Sequence, residues 1–126
     1  MCIDYKRLHH VQICIPKGTE KTAREFYIQI LKFVEIEKPE VLKKNGGFWL
    51  RAADIEYHVG IEDSIVPGKR HPAFEIYNLS DAKTHLEKHN ISIQQETPIK
   101  GFERFSFRDP FQNRIEFISR TETPGL

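Results

Sequence analysis

Leu8-His9-His10-Val11-Gln12-Ile13 near the start of the chain and Arg70-His71-Pro72-Ala73-Phe74-Glu75-Ile76 past its middle share one design: an imidazole set in an alternating, apolar run. Each is followed by a helix-like run and then by strand-like runs. The first series contains Ile55-Glu56-Tyr57, and the second closes on Ile115-Glu116-Phe117. His10 and His71 stand 61 residues apart, and Glu56 and Glu116 stand 60 apart. The chain therefore reads as two copies of one plan. Imidazole and carboxylate at matching points of both copies suggest a metal centre between two half-folds.

Composition bounds this reading. A chain of 126 residues is one domain, or two very small modules that share a core. A hydrophobic content of 39% and a charged content of 29% are ordinary for a globular protein. A net charge of +1 gives no electrostatic footprint for nucleic acid or an anionic membrane. No apolar run approaches the roughly 20 residues of a membrane span. Met1-Cys2-Ile3-Asp4-Tyr5-Lys6 lacks the apolar core of a secretory signal. Two cysteines, Cys2 and Cys14, make no disulfide framework, so a cytoplasmic location is expected.

Outward from the opening stretch, residues 8–15 alternate with His10, Gln12 and Cys14 on one face and Val11, Ile13 and Ile15 on the other, which predicts a strand. Pro16-Lys17-Gly18 ends it, and Thr19 is placed to cap a helix whose apolar stripe is Ala23, Phe26, Tyr27, Ile30 and Leu31. A short strand at 33–36, a polar loop at 40–46 and a hairpin of 47–51 with 55–61 complete the first module, about 6–63. Ser64 to Lys69, with Pro67-Gly68, reads as a linker. The second module, about 70–120, repeats the plan: strand 71–77, helix 80–89 capped by Ser80, and strands 91–96, 103–107 and 114–119. Thr121 to Leu126 is expected to be a loose tail. Each half is thus βαβββ, an α+β fold.

The strand faces carry the chemistry. In each module the helix must bury its stripe on the apolar face of the strands. The opposite face then holds His10, Gln12, Glu56, His58, His71 and Glu116. Several converging polar groups of this kind make sense where they bind a cation or line a wet cleft, since isolated burial would be costly. His85 and His89, four apart on the second helix, have the spacing of a zinc-binding pair but no third donor near them in sequence, and read as surface histidines. Cys14 has no triad-like partners that would make it a nucleophile.

Leu8-x-His10-Val11, the helix with Phe26-Tyr27 ending in Leu31, His71-x-Ala73-Phe74 and Asp109-Pro110-x-x-Asn113-x-x-Glu116, in this order, resemble the vicinal oxygen chelate superfamily. That superfamily includes glyoxalase I, fosfomycin-resistance enzymes, extradiol dioxygenases and bleomycin-binding proteins. The resemblance implies a single glyoxalase-like domain over residues 1–126. Its two βαβββ modules would form an incomplete mixed-sheet barrel around a central cleft. It implies His10, His71 and Glu116 as ligands of a divalent Fe, Mn, Ni, Co or Zn ion. Glu56 is then the fourth ligand or the proton-transferring base, and a slip of two residues along the strand presents His58 instead. Gln12, Trp49 and Arg104 would line the substrate site.

The implied activity is that of a metal-dependent lyase, isomerase, dioxygenase or thiol transferase, acting on a small substrate with vicinal oxygens through a stabilised oxyanion. The alternative is a metal-free binding protein of the bleomycin-resistance type that sequesters an aromatic small molecule. A homodimer is expected by resemblance, with neither nucleic acid nor membrane as a partner.

Overall fold

The alternation at His10–Ile15 folds as strand β1, and the next breaker run leads into α1 (Glu20–Arg24), continued by a π-helical segment, Glu25–Ile30. Strands β2 (Val34–Ile36), β3 (Phe48–Ala52) and β4 (Ile55–Ile61) follow. They form one open sheet in the order β1-β4-β3-β2, with β1 parallel to β4 and the other pairs antiparallel. The computed structural model describes residues 2–121 and divides after Ile65 into two compact units.

The second unit repeats the order with β5 (Ala73–Glu75), α2 (Leu79–Lys88), β6 (Gln94–Gln95), β7 (Phe102–Arg108) and β8 (Arg114–Arg120). Its sheet runs β5-β8-β7-β6, again with the first and last strands parallel. Both units are βαβββ with a four-stranded mixed sheet, and the fold is α+β.

Alternation decides which face is buried in each sheet. In the first unit Ile15, Phe48, Leu50, Ala52, Tyr57 and Val59 are all buried, as are Ala23, Phe26 and Tyr27 of the helix. Tyr27 and Tyr57 place their hydroxyls 3.3 Å apart, so each buried phenol satisfies the other. In the second unit Phe105, Phe107, Ile115 and Phe117 form the buried face, with Leu79 and Leu86 of α2. No helix among the described residues is long and apolar enough to cross a membrane.

Several boundaries differ from the sequence expectation for local reasons. The first helix widens into a π turn, where Leu31 N–H reaches back five residues to the Phe26 carbonyl. The extra residue rotates Ile30 and Leu31 off the stripe, so they are half-buried while Phe26 and Tyr27 are buried. Thr19 does occupy the cap position, but its hydroxyl donates to the Pro16 carbonyl rather than accepting from the helix. Helix α2 starts one residue earlier than expected, capped by Asn78, whose side chain accepts from Asp81 N–H; Ser80 lies inside it.

Strand β5 is shorter than the expected 71–77, because Pro72 has no N–H to give the ladder, though its carbonyl accepts from Glu116 N–H. Pairing at 91–96 is confined to Gln94–Gln95, and the expected loop at 40–46 contains a 3-10 turn, Glu40–Asn45. Beyond residue 121 the expected loose tail lies outside the described residues.

Candidate metal and substrate site

In the first unit the strand ladder sets the polar side chains in rows. His10 pairs with Glu56 and Gln12 with His58 across β1 and β4, while Trp49 pairs with His58 and Arg51 with Glu56 across β3 and β4. The rings stack: His10 lies on His58 at 4.1 Å between centroids and 17° between planes, and Trp49 lies on its other side at 3.8 Å and 3°. His58 is buried at 4% exposure within this stack. Gly60 leaves room for the Gln12 amide, which a Cβ there would meet at 2.6 Å.

His58 Nε2 lies 2.9 Å from Glu56 Oε1. That hydrogen bond, ahead of any charge effect, holds the Glu56 carboxyl below the usual range, so Glu56 is an acceptor and the proton is assigned to His58 Nε2. Burial pushes His58 below the ordinary histidine value; the Glu56 hydrogen bond opposes this and the neighbouring His10 reinforces it. The unit thus holds a neutral imidazole presenting an N–H to an ionised carboxylate. Nδ1 of His10 is 2.9 Å from Nδ1 of its neighbour His9. Cys14 is half-buried, and burial raises its thiol, which agrees with an inert residue.

In the second unit Glu116 is buried at 5% exposure on the polar face of β8. Its Oε1 takes two partners, His71 Nε2 at 3.0 Å and Arg104 Nη1 at 3.3 Å. His71 Nδ1 lies 2.7 Å from the Lys69 carbonyl. A carbonyl only accepts, so Nδ1 must carry the proton. Neutral His71 would then turn the bare lone pair of Nε2 toward a carboxylate oxygen. Two acceptors at that distance need a positive centre between them, a proton or a metal ion.

Arg114 is held elsewhere. Arg114 Nη2 donates to Glu96 at 2.7 Å, and Ser106 Oγ donates to the same carboxylate at 2.7 Å. The Ser106 bond, followed by the Arg114 bond, lowers Glu96. Arg114 Nη1 also reaches the Lys69 carbonyl, which fixes the group that orients His71. Arg104 is tethered by Nε to the Thr97 carbonyl at 3.0 Å. Arg104 thus pairs with Glu116, whereas Arg114 pairs with Glu96. Glu96, Ser106, Thr97 and the Lys69 carbonyl were not singled out from sequence; backbone acceptors leave no trace in residue type.

The register also compares the two units. His10 is paired with Glu56, whereas Glu116 is paired with Ala73, two residues after His71. Two residues after His10 stands Gln12, whose partner is His58. By strand register, then, His58 is the counterpart of Glu116, although the Ile-Glu-aromatic triplets align Glu56 with it.

Among the described residues, no three or more His, Cys, Asp or Glu side chains are grouped to hold a metal ion; the candidates meet in pairs. The His71–Glu116 pair does fit a metal. Its two donor atoms are 3.0 Å apart, about the separation of adjacent ligands on a six-coordinate ion with bonds of about 2.1 Å. The remote Nδ1–H is bound to a carbonyl, the usual support of a ligating imidazole.

No protein-family model matches the chain, and no curated protein matches it. Solved structures do. A Bacillus anthracis protein assigned to the glyoxalase family is 38% identical, covers 96% of this chain and 100% of its own, and superposes with a TM-score of 0.90. A glyoxalase/dioxygenase from Nostoc punctiforme, at 20% identity, covers 93% of this chain and 92% of its own with a TM-score of 0.77. A lactoylglutathione lyase from Agrobacterium tumefaciens, at 13% identity, covers 92% and 95% with a TM-score of 0.75. The last two share the fold; the first, by its identity and coverage, shows the family. With its two βαβββ units, this chain belongs to the glyoxalase family of the vicinal oxygen chelate superfamily.

Proposed function

We propose that the chain is a metal-dependent glyoxalase-type enzyme, in which His71, Glu116 and His10 hold a divalent first-row ion. The observation that carries this reading is the ring of His71, with Nδ1 committed to the Lys69 carbonyl and Nε2 facing the buried Glu116 carboxylate. An imidazole and a carboxylate so arranged suit Fe, Mn, Ni, Co or Zn. The third donor, His10, is assigned from the sequence repeat. When bound, the ion supplies Lewis acidity to a substrate with two neighbouring oxygens, stabilising the oxyanion that forms.

The chain's own residues would do the rest. In this reading Glu56, ionised and held by the His58 N–H, would accept a proton from substrate. His58 fixes the carboxylate and is itself fixed by the stack of His10 and Trp49. Gln12 and the Trp49 indole share that face and would contact substrate, and Arg104 would pair with an anionic group. Whether the reaction is a lyase, isomerase, dioxygenase or thiol-transfer step depends on the substrate.

A second reading is a metal-free binder that sequesters an aromatic small molecule. It is favoured by the Arg104–Glu116 ion pair, which neutralises the carboxylate without a metal. The two readings separate on the metal content of protein purified without chelator. The enzyme reading expects about one ion per chain, and a fall in affinity of at least about tenfold in His71→Ala and in Glu116→Gln. Unchanged metal binding in both variants removes its basis.

A further inference from the structure

Glu116 Oε1 is claimed twice, by His71 and by Arg104, and an ion bound to that oxygen would have to share it with a guanidinium. Two cations on one carboxylate oxygen repel, and both are at close quarters here, since Glu116 is buried and the Arg104 side chain is only 22% exposed. The guanidinium has no need to leave the site, because its Nε–H stays bonded to the Thr97 carbonyl while Nη1 gives up the carboxylate. Glu96 Oε1 already takes both Arg114 and Ser106. A guanidinium detached from Glu116 and still tethered is a ready partner for an oxyanion.

Resting on the metal reading above, we propose that Arg104 is an exchangeable counter-ion. It neutralises Glu116 in the ion-free protein and passes to an anionic oxygen of the bound small molecule once a divalent ion occupies the carboxylate. Two consequences follow. Arg104 opposes ion binding when no anion is present, and an anion relieves that opposition, so ion and anion bind with positive coupling. The ligand class is then a small molecule that carries a carboxylate, phosphonate or similar oxyanion beside its chelating oxygens.

The experiment is Mn(II) titration by calorimetry at constant ionic strength, in chloride or in sulfate, on the wild type, Arg104→Gln and Arg104→Lys, each checked for fold by circular dichroism. Arg104→Gln is expected to bind Mn(II) roughly tenfold more tightly than the wild type in chloride, the change that loss of one competing charged hydrogen bond carries. Sulfate is expected to tighten Mn(II) binding in the wild type and to have no effect in Arg104→Gln. Arg104→Lys, which keeps the charge, should stay near the wild type. Detectable Mn(II) binding by Arg104→Gln alone would support the proposal in its strongest form. Equal or weaker binding in Arg104→Gln, beside a wild type that binds, overturns the exchange while leaving the metal reading intact. A sulfate effect that persists in Arg104→Gln overturns it too. No binding by any folded variant overturns the metal reading, and the exchange with it.

Discussion

The indole of Trp49 lies flat on the imidazole of His58, with ring centroids 3.8 Å apart and planes within 3° of parallel. Trp49 is the only tryptophan of the chain, so its emission is a direct optical probe of His58. Burial places His58 below the ordinary histidine value of about 6.5, and a charged imidazolium quenches an indole in contact with it. Emission is therefore expected to hold steady on acidification to about pH 6.5 and to fall only at lower pH. Replacing His58 by Phe should abolish that step. A step at or above the ordinary value would contradict the burial argument.

The same shift fixes the sign of a stability change. The unfolded chain takes up the His58 proton at the ordinary value, while the folded chain resists until lower pH. Stability from this group is fully present above about pH 6.5 and is lost as pH falls from there toward the folded value. Urea midpoints measured on either side of that window should drop more in the wild type than in His58→Phe. An equal drop would show that other groups set the acid limit.

Asp109 closes the turn between β7 and β8, and it is 2% exposed. Its Oδ1 accepts the N–H groups of Phe111 and Asn113, each at 2.8 Å, and its Oδ2 accepts from Asn113 Nδ2 at 2.8 Å. Asp109→Ala leaves those donors unmatched and should cost about 2–3 kcal/mol. Asp109→Asn keeps one acceptor oxygen and should cost about half as much. Denaturant midpoints give the ranking, and equal losses would mean that the charge rather than the acceptor geometry matters.

Gly47 stands just before β3 with φ +78°, where an added Cβ would meet the Val59 carbonyl oxygen at 2.1 Å. The neighbour is ladder backbone and cannot swing aside. Gly47→Ala should therefore push β3 off β4 and cost at least about 3 kcal/mol, loosening the Trp49–His58 stack as it does so. A variant of wild-type stability with unchanged Trp49 emission would contradict this.

Much of this was legible in the sequence because period-two alternation and the repeat both survive in residue type. His10, Gln12, Glu56 and His58 share a face because strand side chains alternate, and the ladder pairs them as that alternation requires. What was not legible depends on register and on backbone. The triplets Ile55-Glu56-Tyr57 and Ile115-Glu116-Phe117 match in composition, yet the ladder makes His58 the counterpart of Glu116, the slip of two that the sequence left open and that side-chain identity alone does not select. The π turn that rotates Leu31 off the stripe is likewise a backbone event. The tautomer of His71 is set by the Lys69 carbonyl, and every residue type has a carbonyl.

The most direct test of the central claim is pulsed electron paramagnetic resonance on Mn(II)-loaded protein, which counts the imidazole nitrogens bound to the ion. The wild type is expected to show couplings from histidine nitrogen, reduced by one imidazole in His71→Ala and again by one in His10→Ala. A spectrum of hydrated Mn(II) without nitrogen coupling, or one that His71→Ala leaves unchanged, would mean that the proton, and not a metal ion, is what stands between His71 and Glu116.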